Sequence, residues 1–297
     1  MNKIATIAAA AMLTLGSAAE AENNVNIGKS NITLKSDRMT PEALWAMGRI
    51  AGAEAAPNGK QIVYQVGYYS VQENRGHQVI CTVGADGKNN RQLTTSAKSE
   101  SDPAWIEGGQ RIAYIADGQV WSMLPDGTDR RQLTHDKDGI EGFKFSPDGK
   151  SLAWLSMKTA KYESDKKRLM VLDMQTKQQR DLTENWDYWP EGFAWTPDSK
   201  AIVFNGYYEG TQPVFRIDAQ TSKIDTLASG QWDYVGVSPV GNDKVLALRH
   251  SMQRPNEVCL IENGQAKDVT EVNKELLAQL KLGKVEKVMV PTPDGKM

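Results

Sequence analysis

Acyl transfer by a serine nucleophile needs that serine on a strained turn, usually Gly-x-Ser-x-Gly, with an imidazole in hydrogen-bond reach. The nearest match in these 297 residues is Gly149-Lys150-Ser151-Leu152-Ala153, which lacks the final glycine and leads into an alternating apolar run. It reads as the start of a strand, so no catalytic residue is assigned. His77, His135 and His250 fall in separate segments read as loops, where surface placement is expected. Gly28-Lys29-Ser30 and Gly149-Lys150-Ser151 are not phosphate loops, because the glycine needed five positions earlier is Asn23 and Lys144. Asp136-Lys137-Asp138-Gly139-Ile140-Glu141 lacks the third oxygen position of a calcium loop and reads as a turn. No metal ligand and no cofactor are therefore expected.

What remains is chemistry of recognition. Aromatic residues lie beside charged ones at Tyr68-Tyr69, Tyr162-Glu163-Ser164-Asp165, Asn185-Trp186-Asp187-Tyr188-Trp189, Tyr207-Tyr208-Glu209 and Arg249-His250. Aromatic walls with a few fixed charges are the usual composition of a small-ligand or peptide surface. Carboxylates there would bind a cation, and the planar fork of Arg249 would hold a carbonyl or carboxylate.

The elements that must position these residues repeat. Gly142-Phe143-Lys144-Phe145-Ser146-Pro147-Asp148-Gly149-Lys150 joins two alternating apolar runs through Ser-Pro-Asp-Gly. Proline presets φ, aspartate bonds its own backbone and glycine accepts positive φ, so the stretch is a hairpin. Related turns recur at Ala56-Pro57-Asn58-Gly59, Ile106-Glu107-Gly108-Gly109, Trp195-Thr196-Pro197-Asp198 and Val237-Ser238-Pro239-Val240-Gly241. A second marker, Gln-Leu-Thr, Asp-Leu-Thr or Asp-Val-Thr, ends the repeats in phase with the first, as in Arg131-Gln132-Leu133-Thr134. Four short antiparallel strands per ~45 residues mark a propeller blade.

The spacing predicts an all-β propeller over 50–270 with five four-stranded blades, at about 50–94, 102–134, 142–183, 192–227 and 234–270. In the third blade the strands are Phe143–Phe145, Ser151–Ser156, Arg168–Asp173 and Gln179–Leu182. Because strands alternate direction, the loops after each second and fourth strand share one face, opposite the Ser-Pro-Asp-Gly turns. The aromatic and charged stretches are all read onto that face. Segment 22–49 holds a short helix, with Thr40 as N-cap and Pro41 at the first helical position.

Residues 1–21 read as a secretory leader, with Lys3, an apolar run from Ile4 to Leu15 and cleavage after Ala19-Glu20-Ala21. The apolar run is short of the ~20 residues that span a bilayer. A periplasmic or secreted chain, without membrane insertion after cleavage, is expected. Net charge of −2 leaves no electrostatic footprint for nucleic acid. Cys81 and Cys259 sit in apolar strands and are expected as free thiols. After the repeats, 271–283 has the spacing of a linker helix, and Val285–Val290 alternates like a strand with nothing to pair with.

The leader, the Thr40-Pro41-Glu42-Ala43-Leu44-Trp45 helix, the Ser-Pro-Asp-Gly blades and the tail Val285-Glu286-Lys287-x-x-Val290-x-Thr292-x-Asp294-Gly295-Lys296 together resemble the N-terminal half of bacterial exported dipeptidyl-peptidases. Tyr162–Leu169, Ala194–Lys200 and Leu246–Ser251 strengthen the likeness, which is to the dipeptidyl-peptidase V type of the prolyl oligopeptidase family. The resemblance implies a propeller capping a C-terminal α/β-hydrolase that carries the whole Ser-Asp-His triad. Residues 284–297 would be the first strand of that hydrolase, absent from this sequence, and the chain alone would be inactive. It also implies seven or eight blades, with the run Thr134–Phe143 the place where some are lost.

The resemblance further implies peptide or oligopeptide substrates on the loop-rich face, gated by the propeller. An enzyme that removes dipeptides must pair the substrate α-ammonium with an anion. Glu163, Asp165 and Glu209, beside Tyr162, are the candidates for that role, with Arg249 for a peptide carbonyl. The alternative is a stand-alone periplasmic propeller, similar to TolB, that binds a protein partner.

Overall fold

The computed structural model describes residues 27–33, 37–159, 162, 164–291 and 293. The leader and Glu163 lie outside the described residues. A helix, α1 (Pro41–Ala46), precedes the repeats, and the Thr40 hydroxyl accepts from Ala43 N as the sequence predicts.

Five sheets follow, each of four sequential antiparallel strands. Blade one is β1 (Arg49–Ala55), β2 (Gln61–Ser70), β3 (Arg75–Gly84) and β4 (Arg91–Gln92). Blade two is β5 (Glu100–Ile106), β6 (Arg111–Ala116), β7 (Gln119–Met123) and β8 (Arg131–Gln132). Blade three is β9 (Glu141–Phe145), β10 (Ser151–Met157), β11 (Lys167–Asp173) and β12 (Gln179–Asp181). Blade four is β13 (Trp189–Trp195), β14 (Ala201–Tyr207), β15 (Val214–Asp218) and β16 (Ile224–Ala228). Blade five is β17 (Asp233–Pro239), β18 (Lys244–Ser251), β19 (Arg254–Glu262) and β20 (Gln265–Asp268).

Both sequence markers have a physical basis. In the Ser-Pro-Asp-Gly turn the Ser146 hydroxyl accepts from Ser151 N and donates to Asp148, whose Oδ1 accepts from Lys150 N. Thr196 and Asp198 repeat this arrangement in blade four. The closing threonine of the second marker takes a backbone donor from the third strand: Ile80 N to Thr94 at 2.8 Å, Val120 N to Thr134 at 2.9 Å, Leu169 N to Thr183 at 3.0 Å and Val258 N to Thr270 at 2.9 Å. One hydroxyl thus replaces the ladder bond that a longer fourth strand would supply. Blade four has Ala228 at this position, and there β16 pairs directly with β15 through Val214.

Every first strand carries a register shift against the second, between Ala51 and Glu54, Ser101 and Ala104, Glu141 and Phe143, Pro190 and Phe193, and Val235 and Ser238. Four of these bulges hold a residue in the left-handed region, Gly52, Asp102, Gly142 and Gly236. A bulge at a fixed place adds twist, and a twisted blade can pack against the next.

The core is a series of inter-blade layers. Val63, Ile80 and Leu93 of blade one meet Trp105, Ile112 and Met123 of blade two. Ile106, Ala113 and Val120 meet Leu152, Trp154 and Met170. Leu155, Leu169 and Leu182 meet Phe193, Ile202 and Phe204. Val203 and Val214 meet Val245, Ala247 and Cys259. Indoles tie the inner strands together, Trp105 Nε1 donating to Glu54 O at 3.1 Å and Trp195 Nε1 to Lys144 O at 3.0 Å. Among the described residues none of these layers joins blade five to blade one, and Leu248 of blade five is 38% exposed.

The helix after the repeats is shorter than the spacing over 271–283 suggests. Helix α2 covers only Lys274–Leu277 and its N-cap Asn273 makes no side-chain bond. A single turn without a capping side chain has little to propagate it. Val285–Val290 forms no strand, in keeping with an alternating segment that has nothing to pair with.

Candidate functional site

The loop-rich face is built from the ends of the second and third strands and from the segments linking blades. In blade three, Asp165 N donates to Tyr162 O at 2.8 Å, so the backbone folds into a turn that projects the Tyr162 ring, 63% exposed. The Asp165 carboxylate accepts from Lys166 N at 2.8 Å. A hydrogen bond from Thr159, with that backbone donor, holds its carboxyl below the usual carboxylate range. Lys166 fastens the end of the loop to Thr183 O at 2.5 Å.

Glu209 lies in the tight turn closed by Tyr208 and Thr211, with φ of 47°. Its Oε2 accepts from Lys287 Nζ at 2.5 Å. The aromatic stretch feeding this turn runs from core to surface. Trp186 packs edge-on to Phe204 and Phe215 at 5.3 and 5.2 Å, Tyr188 sits 5.6 Å from Trp186, and Tyr208 sits 4.3 Å from Tyr188. Trp186 is therefore a prop for the surface tyrosines.

Arg249 and His250 are not in a loop, because β18 extends through Ser251. Arg249 is buried and its guanidinium is committed: Nε donates to Asp268 Oδ1 at 2.6 Å and Nη1 to Ala266 O at 3.1 Å. The same Asp268 accepts from Arg254 Nη1 at 2.8 Å, and the two guanidiniums lie 4.4 and 4.8 Å from the Trp232 ring centre. Hydrogen bonds from Arg249, then Arg254, bring the Asp268 carboxyl down to about 2. The Arg249 guanidinium is held charged by Asp268. Trp232 and Arg254 were not singled out by sequence, and Asp268 only as the first residue of the Asp-Val-Thr marker. One signal was present: Trp232-Asp233-Tyr234 repeats Trp186-Asp187-Tyr188 at the same place one blade later.

His77 overturns the expectation of a surface histidine. It is 2% exposed inside β3, paired opposite Tyr68, with Nε2 2.9 Å from Ser96 O. The reason is the length of the blade-one hairpin, whose ten-residue strands carry His77 under the segment leading to blade two. Tyr68 and Tyr69 likewise lie within β2, not in a loop. His250 is half-buried, 3.7 Å from Asp233, and His135 is exposed.

The structure thus places Tyr162 and Asp165 together, Glu209 with the C-terminal segment, and Arg249 in a buried charge cluster. No described hydrogen bond or ion pair joins these three places. Among the described residues no group of three or more His, Cys, Asp and Glu side chains converges on a point, and no helix is long and apolar enough to cross a membrane. Cys81 and Cys259 are free and buried.

Five consecutive four-stranded blades with a loop-rich face define a β-propeller. Residues 59–279 match the TolB β-propeller domain family, and the chain belongs to it. Among curated proteins it is similar to dipeptidyl-peptidase 5 of Porphyromonas gingivalis, 37% identical over 211 residues that cover 65% of this chain and 30% of that protein. Dipeptidyl-peptidase 5 of Porphyromonas endodontalis is 44% identical over 126 residues, 41% of this chain and 18% of that one. The chain thus spans less than a third of the length of these relatives, and what it shares with them is propeller.

Solved structures share the fold. A TolB protein of Agrobacterium tumefaciens superposes with a TM-score of 0.55 at 15% identity, covering 75% of this chain and 81% of that one. A puromycin-hydrolyzing peptidase of Mycobacterium tuberculosis gives 0.59 at 15% identity, over 75% of this chain and 38% of that one.

Proposed function

We propose that the chain is the propeller portion of an exported dipeptidyl-peptidase of the prolyl oligopeptidase family, and that its loop-rich face receives the free amino end of a peptide. The observation that carries this reading is the 37% identity to dipeptidyl-peptidase 5 over 211 residues. The leader-like residues 1–21 support export to the periplasm or beyond. Glu209, Asp165 and Glu163 are the anions for the α-ammonium, and Tyr162 is the adjoining aromatic surface. Arg249 serves the face indirectly, by fixing Asp268 and Trp232. Bond cleavage is assigned to the hydrolase domain of the full-length family members, and a dipeptidyl fluorogenic substrate incubated with the purified chain should show no turnover.

The test compares a short peptide with its N-acetylated twin by calorimetry. The free amine binds more tightly, and E209Q with D165N removes the difference. In a full-length relative, alanine at the positions of Glu163 and Asp165 raises KM for free N-termini. Equal binding of both peptides, with unchanged kinetics in the relative, would sink the reading.

A second reading is a stand-alone TolB-like module that docks a protein partner. The coverage of 81% of the Agrobacterium TolB protein favours it. It predicts that neither short peptide binds.

A further inference from the structure

The C-terminal segment lies on the loop-rich face in the manner of an extended strand. Positions 283, 285 and 287 meet the face: Gly283 O accepts from Gln253 Nε2 at 2.5 Å, Val285 O accepts from Gln231 Nε2 at 3.5 Å, and Lys287 Nζ donates to Glu209 Oε2. The residues between turn away, and Lys284 Nζ reaches Glu286 Oε1 at 2.8 Å along the outer side. Side chains two apart share a side in extended backbone. Val285 is half-buried, while Lys284 and Glu286 are exposed. Among the described residues no main-chain hydrogen bond forms within 281–290, so its carbonyls are open to side-chain donors.

The three groups that hold the segment come from separate loops. Gln253 sits in the turn between β18 and β19, Gln231 in the link from blade four to blade five, and Glu209 in the turn between β14 and β15. All three residues are exposed. Among the described residues, none of the three side chains has a hydrogen-bond or ion-pair partner other than this segment. They take no part in the bonds within or between blades.

Their arrangement specifies what they hold. An amide N–H donates to a carbonyl, and the two carbonyls taken are two residues apart, the repeat along one side of an extended chain at ~3.3 Å per residue. An isolated amine offers no such pair.

We infer that Gln253 and Gln231 read the main chain of a bound peptide, taking alternate carbonyls of an extended segment whose cation lies on Glu209. Residues 283–287 are the resident occupant, and a substrate brings its α-ammonium where Lys287 brings Nζ. This assignment rests on the peptide reading above but asks nothing of Glu163 or Asp165.

Release of the segment is the readout. A lysine-specific endoproteinase cleaves after Lys287 only once that side chain has left Glu209, so the early rate at this bond, followed by mass spectrometry on the full chain, tracks the undocked fraction. Q231M and Q253M keep the side-chain length, remove the donor and leave the circular dichroism unchanged. Each raises the rate about threefold, the scale of one exposed hydrogen bond. The probe in trans is acetyl-Gly-Orn-Val-Glu-Orn-Val-amide, the sequence of 283–288 with ornithine for lysine so that the proteinase spares it. It raises the rate saturably, at concentrations about tenfold below those needed of acetyl-ornithine-amide, which brings the cation alone. Unchanged rates in both variants, or a probe no better than acetyl-ornithine-amide, would overturn the assignment. If it falls in that way while free amines keep their advantage at Glu209, the ammonium reading stands. If the probe keeps its lead while E209Q changes nothing, only the ammonium reading falls.

Discussion

Lys287 Nζ lies 2.5 Å from Glu209 Oε2, joining the C-terminal segment to the turn between the second and third strands of blade four. The same segment accepts from Gln253 at Gly283 O, 2.5 Å away, and from Gln231 at Val285 O, 3.5 Å away. It crosses the loop-rich face from blade five to blade four and places an ammonium on the carboxylate proposed to receive one. Both groups of the pair are more than a third exposed, and such pairs contribute under about 1 kcal/mol and are screened by salt. K287A should therefore leave the urea midpoint within error. It should tighten binding of a free-amine peptide severalfold at low ionic strength, an advantage that fades by about 0.5 M salt. Equal affinity of K287A and the native chain at low salt would count against competition at Glu209.

The closing threonines lend themselves to a nearly isosteric test. Thr94 is fully buried and accepts from Ile80 N, so T94V keeps the shape and orphans that donor. An unsatisfied buried donor costs about 1–3 kcal/mol. Urea unfolding should show that loss for T94V and for T134V. A loss below about 0.5 kcal/mol in both would mean that the hydroxyl is not what closes the blade.

Asp268 sets a pH dependence. Its carboxyl titrates near 2, against an ordinary value of 3.8, because Arg249 and Arg254 donate to it. A lowered folded value stabilises above the unfolded one, so the contribution is complete above about pH 4 and is lost as pH falls toward 2. The stability gap between the native chain and D268N should narrow by at most about 2 kcal/mol between pH 5 and pH 2. A gap that stays constant would remove the charge cluster as its source.

Burial pushes both cysteine thiols up from their ordinary value. Ellman's reagent should react with neither Cys81 nor Cys259 in the native chain and with both in guanidinium. Rapid reaction of the native chain would place a thiol at the surface.

Trp154 is fully buried between blades two and three and its indole donates to Asp136 Oδ2 at 3.1 Å. W154A should cost about 3–5 kcal/mol, read as a fall in urea midpoint, because the layer it fills has no other side chain of that volume.

The blades were legible in the sequence because each marker performs a bond. Ser146 with Asp148, and Thr134 with Val120, are residue types that side-chain capping demands at fixed offsets, so their period announces the repeat. The site was less legible. How far a strand runs depends on its partner, so the reach of β2 and β3, and with it the burial of His77, could not be read from either strand alone. Arg249 shows the same limit: a fork suited to a ligand carbonyl is equally suited to Asp268, and only the fold brings Asp268 near. Val285–Val290, read as a strand with nothing to pair with, forms none, as an alternating segment without a partner must.

Several of the bonds between adjacent blades land on main-chain oxygens. Trp105 reaches Glu54 O, Trp195 reaches Lys144 O, Arg91 reaches Pro125 O, and Arg180 reaches Ala219 O and Gln220 O. Each donor reads a property that every amino acid possesses, so the acceptor side can drift freely in identity while the joint survives. Such joints make a blade a portable module. Homologues that diverge by gaining, losing or exchanging whole blades would keep this part of each seam intact, while the bonds to Gln65, Ser199 and Asn242 would need a matching side chain next door.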